Sequence, residues 1–147
     1  MIQRIQTVFL FLSAVLAGFL FFIPIASFDL GNEIVNLSIF GVENHSGALL
    51  LLILAVLMLA VPFVTIFMYK KRELQLKLSL LNLYLNILFI LLLAMFYVDN
   101  IQEKLSAETV VFAFGAYIPF INGLLSSLAG RWIKKDIELI KSIDRLR

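Results

Sequence analysis

The chain has 147 residues, of which 62% are apolar and 15% charged, with a formal net charge of +2. Soluble domains carry about a quarter charged and under half apolar residues; one small core cannot hide this excess, so the composition calls for an apolar solvent, the bilayer. Cysteine is absent, which excludes disulfides, thiolate metal sites and cysteine nucleophiles.

The first charge-free run extends from Ile5 to Phe28. A helix needs about 20 mainly apolar residues to cross roughly 30 Å of hydrocarbon, and in lipid a run like this satisfies its backbone only as a helix. Arg4 followed by apolar residues resembles a secretory signal. The stretch is longer than an ordinary signal core, however, and Pro24-Ile25-Ala26 is a poor cleavage site. It is read as a retained span.

Asp29 to His45 then forms the longest segment between spans. Gly31-Asn32 separates Phe28-Asp29-Leu30 from Glu33-Ile34-Val35, and Val35 to Ile39 alternates apolar and polar residues. Gly-Asn between extended, β-branched runs predicts a β-hairpin or an irregular cap on the bundle.

Three further charge-free runs follow: Ser46–Tyr69, Leu78–Val98 and Thr109–Gly130. Spans are therefore expected at about 5–27, 48–69, 78–98 and 110–130, within one membrane domain covering residues 1–147. Pro62 and Pro119 fall inside spans two and four and are expected to kink them. Ala14 with Gly18, Gly123 with Ser127, and Ser126 with Gly130 are small pairs four apart, which let helices approach closely. The tail, 131–147, repeats Ile133, Ile137, Ile140 and Ile143 at helical spacing among charged residues. It predicts an amphipathic helix continuing span four.

Lysine and arginine set the orientation. Eleven lie on one side: Arg4, then Lys70, Lys71, Arg72 and Lys77, then Arg131, Lys134, Lys135, Lys141, Arg145 and Arg147. Lys104 alone lies on the other. The N-terminus, the middle loop and the tail are thus expected in the cytoplasm. Tyr69 and Trp132 are expected at the cytoplasmic interface, and Phe28, Phe96 and Tyr97 at the outer one. The tail cations, Arg131, Lys134, Lys135, Lys141, Arg145 and Arg147, are candidate contacts for lipid or a partner helix.

No ionisable residue except tyrosine lies deep in a span, which argues against a proton-coupled pump or transporter. Uncharged polar residues form a pattern instead. Ser13 lies nine residues past Arg4, Asn86 nine past Lys77 and Asn122 nine before Arg131. At 1.5 Å per residue each is roughly 13 Å from its boundary charge. Thr65 and Asn82 form a shallower pair. Ser13, Asn82, Asn86 and Asn122 are the candidate interhelical polar layer, with Asn86 and Asn122 expected to pair across spans three and four as interhelical glue.

Reactive constellations are missing. There is no phosphate loop, no HExxH and no paired histidine; His45 beside Glu43 is too little for a metal site, and Ser126-Ser127 has no nearby base. No catalytic residue, metal or cofactor is expected, and the cations form no nucleic-acid reader.

Both chain ends carry a resemblance. Met1-Ile2-Gln3-Arg4-Ile5-Gln6-Thr7, Arg131-Trp132-Ile133-Lys134-Lys135-Asp136 and Ser142-Ile143-Asp144-Arg145-Leu146-Arg147 resemble a domain-of-unknown-function family, number 4293, of short four-span proteins from Bacteroidota. Ile137 departs from the acidic residue usual there, and Ile140 and Lys141 replace valine and arginine; the apolar stripe is stronger for it. The resemblance implies the inner membrane of a Gram-negative cell and brings no activity or substrate.

The expected fold is all-α: a four-transmembrane-helix bundle with both termini inside. The expected role is an accessory or scaffold subunit of a membrane complex. The alternatives are a passive channel or lipid-handling protein lined by the asparagines, and a lipid-surface sensor working through the tail. Expected partners are the lipid bilayer and a membrane protein or second copy.

Overall fold

The computed structural model describes residues 3–31, 33–42, 48–106 and 109–144. Its elements in order are α1 (Gln3–Phe19), β1 (Ala26–Asp29), β2 (Ile34–Ser38), β3 (Gly41–Val42), α2 (Leu49–Phe67), α3 (Arg72–Leu92), a π-helical turn (Leu93–Val98), α4 (Asp99–Leu105), β4 (Thr109–Phe112), a 3-10 turn (Phe114–Tyr117) and α5 (Ile118–Asp144). The fold is mostly helical, with a small antiparallel sheet. Helices α1, α2, α3 and α5 pack in a ring, each against two neighbours. Two helices, Leu49–Phe67 and the 34-residue Arg72–Leu105, are long and apolar enough to cross a membrane, while Ile5–Phe19 is a shorter apolar helix.

Each long helix buries a narrow stripe. On α1 the stripe is Gln6, Leu10, Ser13 and Ala17; on α3 it is Gln75, Ser79, Asn82, Asn86 and Phe89. These spacings of three and four are the inward seam of a bundle whose helices cross at a small angle. Helix α2 buries Leu51, Leu54, Ala55, Met58, Pro62 and Thr65.

The sheet corrects the expected all-α fold. Its strand order is β3-β2-β1-β4, and it lies at the end of the bundle where α1 and α3 finish. The expected hairpin is present: β1 and β2 pair with Ser27 opposite Asn36 and Phe28 opposite Val35. Gly31 (φ 81°) occupies the left-handed region at the turn, a conformation glycine adopts without a Cβ penalty. Its N–H donates to Asp29 Oδ1 at 2.8 Å. Asn32 lies outside the described residues.

Strand β4 is the part of span four that differs most from expectation. Thr109–Phe112 pairs with β1 in place of beginning a helix. Span one is shortened in the same way, because helix α1 ends at Phe19 and Ala26–Asp29 is strand. Pro24 explains the break: it cannot donate a helical hydrogen bond and it biases Ile23 toward extended backbone. Gly115 N–H donates to Pro24 O at 3.1 Å, and a Cβ on Gly115 would lie 2.5 Å from that same oxygen. Only glycine lets the two chains approach so closely. Pro119 does not kink a helix either. It sits in the first turn of α5, where its missing N–H costs nothing. Pro62 does lie inside α2.

Phe28 is fully buried in a cluster with Leu37, Ile39, Leu51 and Met58, not at an interface as expected. Phe21 meets Phe40 edge-on at 6.3 Å, joining the turn after α1 to the sheet.

Candidate functional site

Most uncharged polar side chains on these helices point inward, and many large apolar ones point outward. Ser13, Thr65, Asn82 and Asn122 are 0% exposed, whereas Phe11, Phe63, Leu91 and Leu124 are half exposed or more. Water-soluble helices have the opposite arrangement. Most of the buried polar groups fall into two clusters, one near the middle of the bundle and one at the end farther from the sheet.

The deeper cluster joins α1, α3 and α5. Asn82 Nδ2 donates to Ser126 Oγ at 2.7 Å and to Ser13 Oγ at 3.2 Å. Ser13 Oγ in turn donates to Asn122 Oδ1. Ser126 Oγ donates to Asn122 O at 2.9 Å, and Ser79 Oγ donates to Ser126 O at 2.8 Å. Asn82 is therefore the hub that ties three helices together. Close approach of α3 and α5 is helped by Gly123 and Gly130, which lie against Leu83 and Ser79.

The second cluster closes the tail end. Gln6 Nε2 donates to Asp136 Oδ2 at 2.8 Å, and Arg72 Nη1 reaches the same oxygen at 3.9 Å. Asp136 is 5% exposed. One carboxylate thus links the first turns of α1 and α3 to the extension of α5. Lys141 pairs with Glu73 at 3.7 Å on the exposed flank. Between the clusters, Gln75 Nε2 donates to Thr65 O at 3.3 Å, fastening α3 to α2.

The sequence-expected layer is thus partly assembled. Ser13, Asn82, Asn86 and Asn122 are all buried, but the expected Asn86–Asn122 bond is absent. Asn86 Nδ2 donates to Asn82 O on its own helix, at 2.7 Å. The reason is depth: α3 begins at Arg72, so counting from Lys77 sets its residues too shallow by more than one turn. Asn82, ten residues past Arg72, is level with Ser13 and Asn122. Lys77 is exposed, five residues past the start of α3.

The tail stripe also differs. Ile133 is buried, but its companion on the inward face is Asp136, and Ile140 is 39% exposed. Arg131, Lys134, Lys135 and Lys141 are exposed on a helix continuous with the bundle, and Lys135 Nζ lies 5.3 Å from the centre of the Trp132 ring. Arg145, Arg147, Glu43 and His45 lie outside the described residues. Gln6, Gln75, Ser79 and Asp136 were missed by the sequence reading. Asp136 had a signal, since it sits three residues after Ile133 on the same helical face.

Among the described residues each buried hydroxyl meets an amide or a carbonyl, and none faces a base able to activate it. Among the described residues no cluster could hold a metal ion. Four buried amide atoms have no hydrogen-bond partner among the described residues: Oδ1 of Asn82 and of Asn86, Nδ2 of Asn122 and Oε1 of Gln6. Leaving such groups unpaired costs about 1–3 kcal/mol each. Asn86 also lines an apolar cleft of about 470 Å³ between α3 and α5, with Ile90, Phe120 and Leu124. Neither Asn82 nor Asn122 reaches that cleft.

The chain matches the family model described as a domain of unknown function, DUF4293, over residues 2–146, and it belongs to that family. No curated protein and no solved structure matches it.

Proposed function

We propose that this DUF4293 protein is a multi-pass inner-membrane protein in which α1, α2, α3 and α5 all cross the bilayer with both termini in the cytoplasm. In that membrane it serves as an accessory or scaffold subunit of a larger complex. The inverted bundle carries the reading. Amides and hydroxyls are buried while phenylalanine and leucine face outward, an arrangement that is favourable only when the surroundings are as apolar as the core.

Two of the four helices need their flanking turns to complete the crossing. From Ile5 to Phe19 and from Ile118 to Gly130 the charge-free helices rise only about 20 Å, short of roughly 30 Å of hydrocarbon. The remaining depth falls to the turns beside the sheet, where Phe22 and Phe114 are 85% and 62% exposed. Non-helical backbone at this level must satisfy itself. It does so by pairing: Ile25 N–H donates to Leu37 O at 2.7 Å and Ala113 N–H to Ile25 O at 2.9 Å.

The subunit role is supported by a site that holds helices together and presents no reactive group among the described residues. Purification in mild detergent after crosslinking in native membranes tests it. The expected result is a reproducible partner protein; a bare monomer in repeated preparations argues against the role. The apolar cleft beside Asn86 favours a second reading, lipid handling. Filling it with Leu124→Trp is then expected to abolish co-purification of a tightly held lipid.

A further inference from the structure

Two basic segments far apart in the sequence meet at the tail end of the bundle. The contacts of Arg72 with Asp136 and of Lys141 with Glu73 set the first turn of α3 against the α5 extension. Those contacts occupy the local acids, Asp136 and Glu73. Among the described residues Lys71 and Lys77 have no acidic partner, and both are exposed. Together with Arg72, Glu73 and Leu74 they line a shallow, open notch of about 360 Å³. Arg72 is one-quarter exposed and pairs with Asp136 through one nitrogen at 3.9 Å, a long contact that leaves the guanidinium fork largely unused.

We propose that this notch binds the phosphate of an anionic lipid headgroup, held by Lys71, Arg72 and Lys77, and that the headgroup competes with Asp136 for Arg72. The inference rests on the membrane placement above. A guanidinium fork matches phosphate geometry, and lysines add point charge. The level in the bilayer also fits. Tyr69 and Trp132, aromatic residues of the interfacial type, each carry a lysine ammonium near the ring, Lys70 at 6.0 Å and Lys135 at 5.3 Å. Leu74 gives the notch an apolar wall, and Leu81 continues an exposed apolar path two turns along α3. That path suits an acyl chain below the phosphate and gives a free anion nothing.

Competition follows from geometry. Asp136 also accepts from Gln6, so a headgroup that draws Arg72 away removes the carboxylate's charged contact among the described residues and loosens the seat of α5 on α3. Lipid at the notch is thereby coupled to the position of the tail helix.

The test uses the full chain in detergent micelles, titrated with dioleoylphosphatidylglycerol, dioleoylphosphatidylcholine or inorganic phosphate, with retained lipid counted by native mass spectrometry. Phosphatidylglycerol is expected to be retained in preference to phosphatidylcholine. The Lys71→Ala, Lys77→Ala double variant is expected to lose about tenfold in retention, Arg72→Lys to lose part of it, and Lys104→Ala none. Asp136→Asn, which frees Arg72, is expected to raise retention. Equal retention of the two lipids, or an unchanged double variant, overturns the site. Displacement of the lipid by millimolar inorganic phosphate makes the ligand a free anion and overturns the lipid assignment. Lower retention in Asp136→Asn, with the helical circular dichroism unchanged, overturns the competition. Failure here in a protein that still crosslinks to a partner leaves the subunit role standing, and recovery as a soluble monomer removes both.

Discussion

Near the sheet the bundle interior is built from Phe28, Leu51, Leu54, Met58 and Phe89, all buried and apolar. From the middle toward the tail, Leu10, Ala129 and Ile133 share the interior with Ser13, Asn82, Asn122, Gln75, Gln6 and Asp136, all buried and polar. The same four helices therefore use two kinds of cohesion. Shape and strand pairing hold the sheet half, where a side chain contributes through the space it fills. Hydrogen bonds with fixed partners hold the tail half, where a side chain contributes through direction. When the surroundings are as apolar as the core, neither half gains from leaving water, so directional bonds define register in a way that leucine contacts alone do not.

The largest break in this comparison is expected from Phe28→Ala. It opens a cavity where β1 meets the bundle and is expected to cost about 3–5 kcal/mol, read as a lowered unfolding midpoint in detergent. Asp136→Ala comes next. It removes a charged acceptor from Gln6 and Arg72, and the expected loss is about 1.5–3 kcal/mol, together with faster hydrogen exchange in the α5 extension. Asn82→Ala is expected to have the smallest effect, about 1 kcal/mol, from two bonds worth about 0.6 kcal/mol each in a membrane setting. If Asn82→Ala proved costlier than Phe28→Ala, the assignment of cohesion to the two halves would be reversed.

The two halves also differ in how far the sequence reveals them. In the tail half an amide within an apolar run stands out, and counting from the flanking charges finds Ser13 and Asn122 at one level. That count failed for α3, because Arg72, held by Asp136, and not Lys77 marks where the helix starts. In the sheet half the signal is weak. Thr109–Phe112 and Ala26–Asp29 are short apolar runs continuous with apolar helices, and such runs do not distinguish strand from span by periodicity. What separates them is Pro24 on one chain and Gly115 on the other, whose backbones meet at 3.1 Å. That relation links residues 91 apart and is not visible in either segment alone. The hairpin at Gly31 was legible because its turn chemistry is local. Asp136 was obscured by the charged residues around it, since a buried carboxylate and a solvated one read alike in a sequence of tail cations.

The proposed placement in a bilayer accounts for both the outward apolar surface and the inward amides. Cysteine is absent from the chain, so single cysteines can report sidedness without background. Lys71→Cys, Lys104→Cys and Ser142→Cys would be probed in spheroplasts with a membrane-impermeant maleimide. The account predicts that the cysteine at 104 labels at once, whereas those at 71 and 142 label only after the membrane is opened. Equal labelling at all three positions before opening, or recovery of the chain in the soluble fraction, would contradict it.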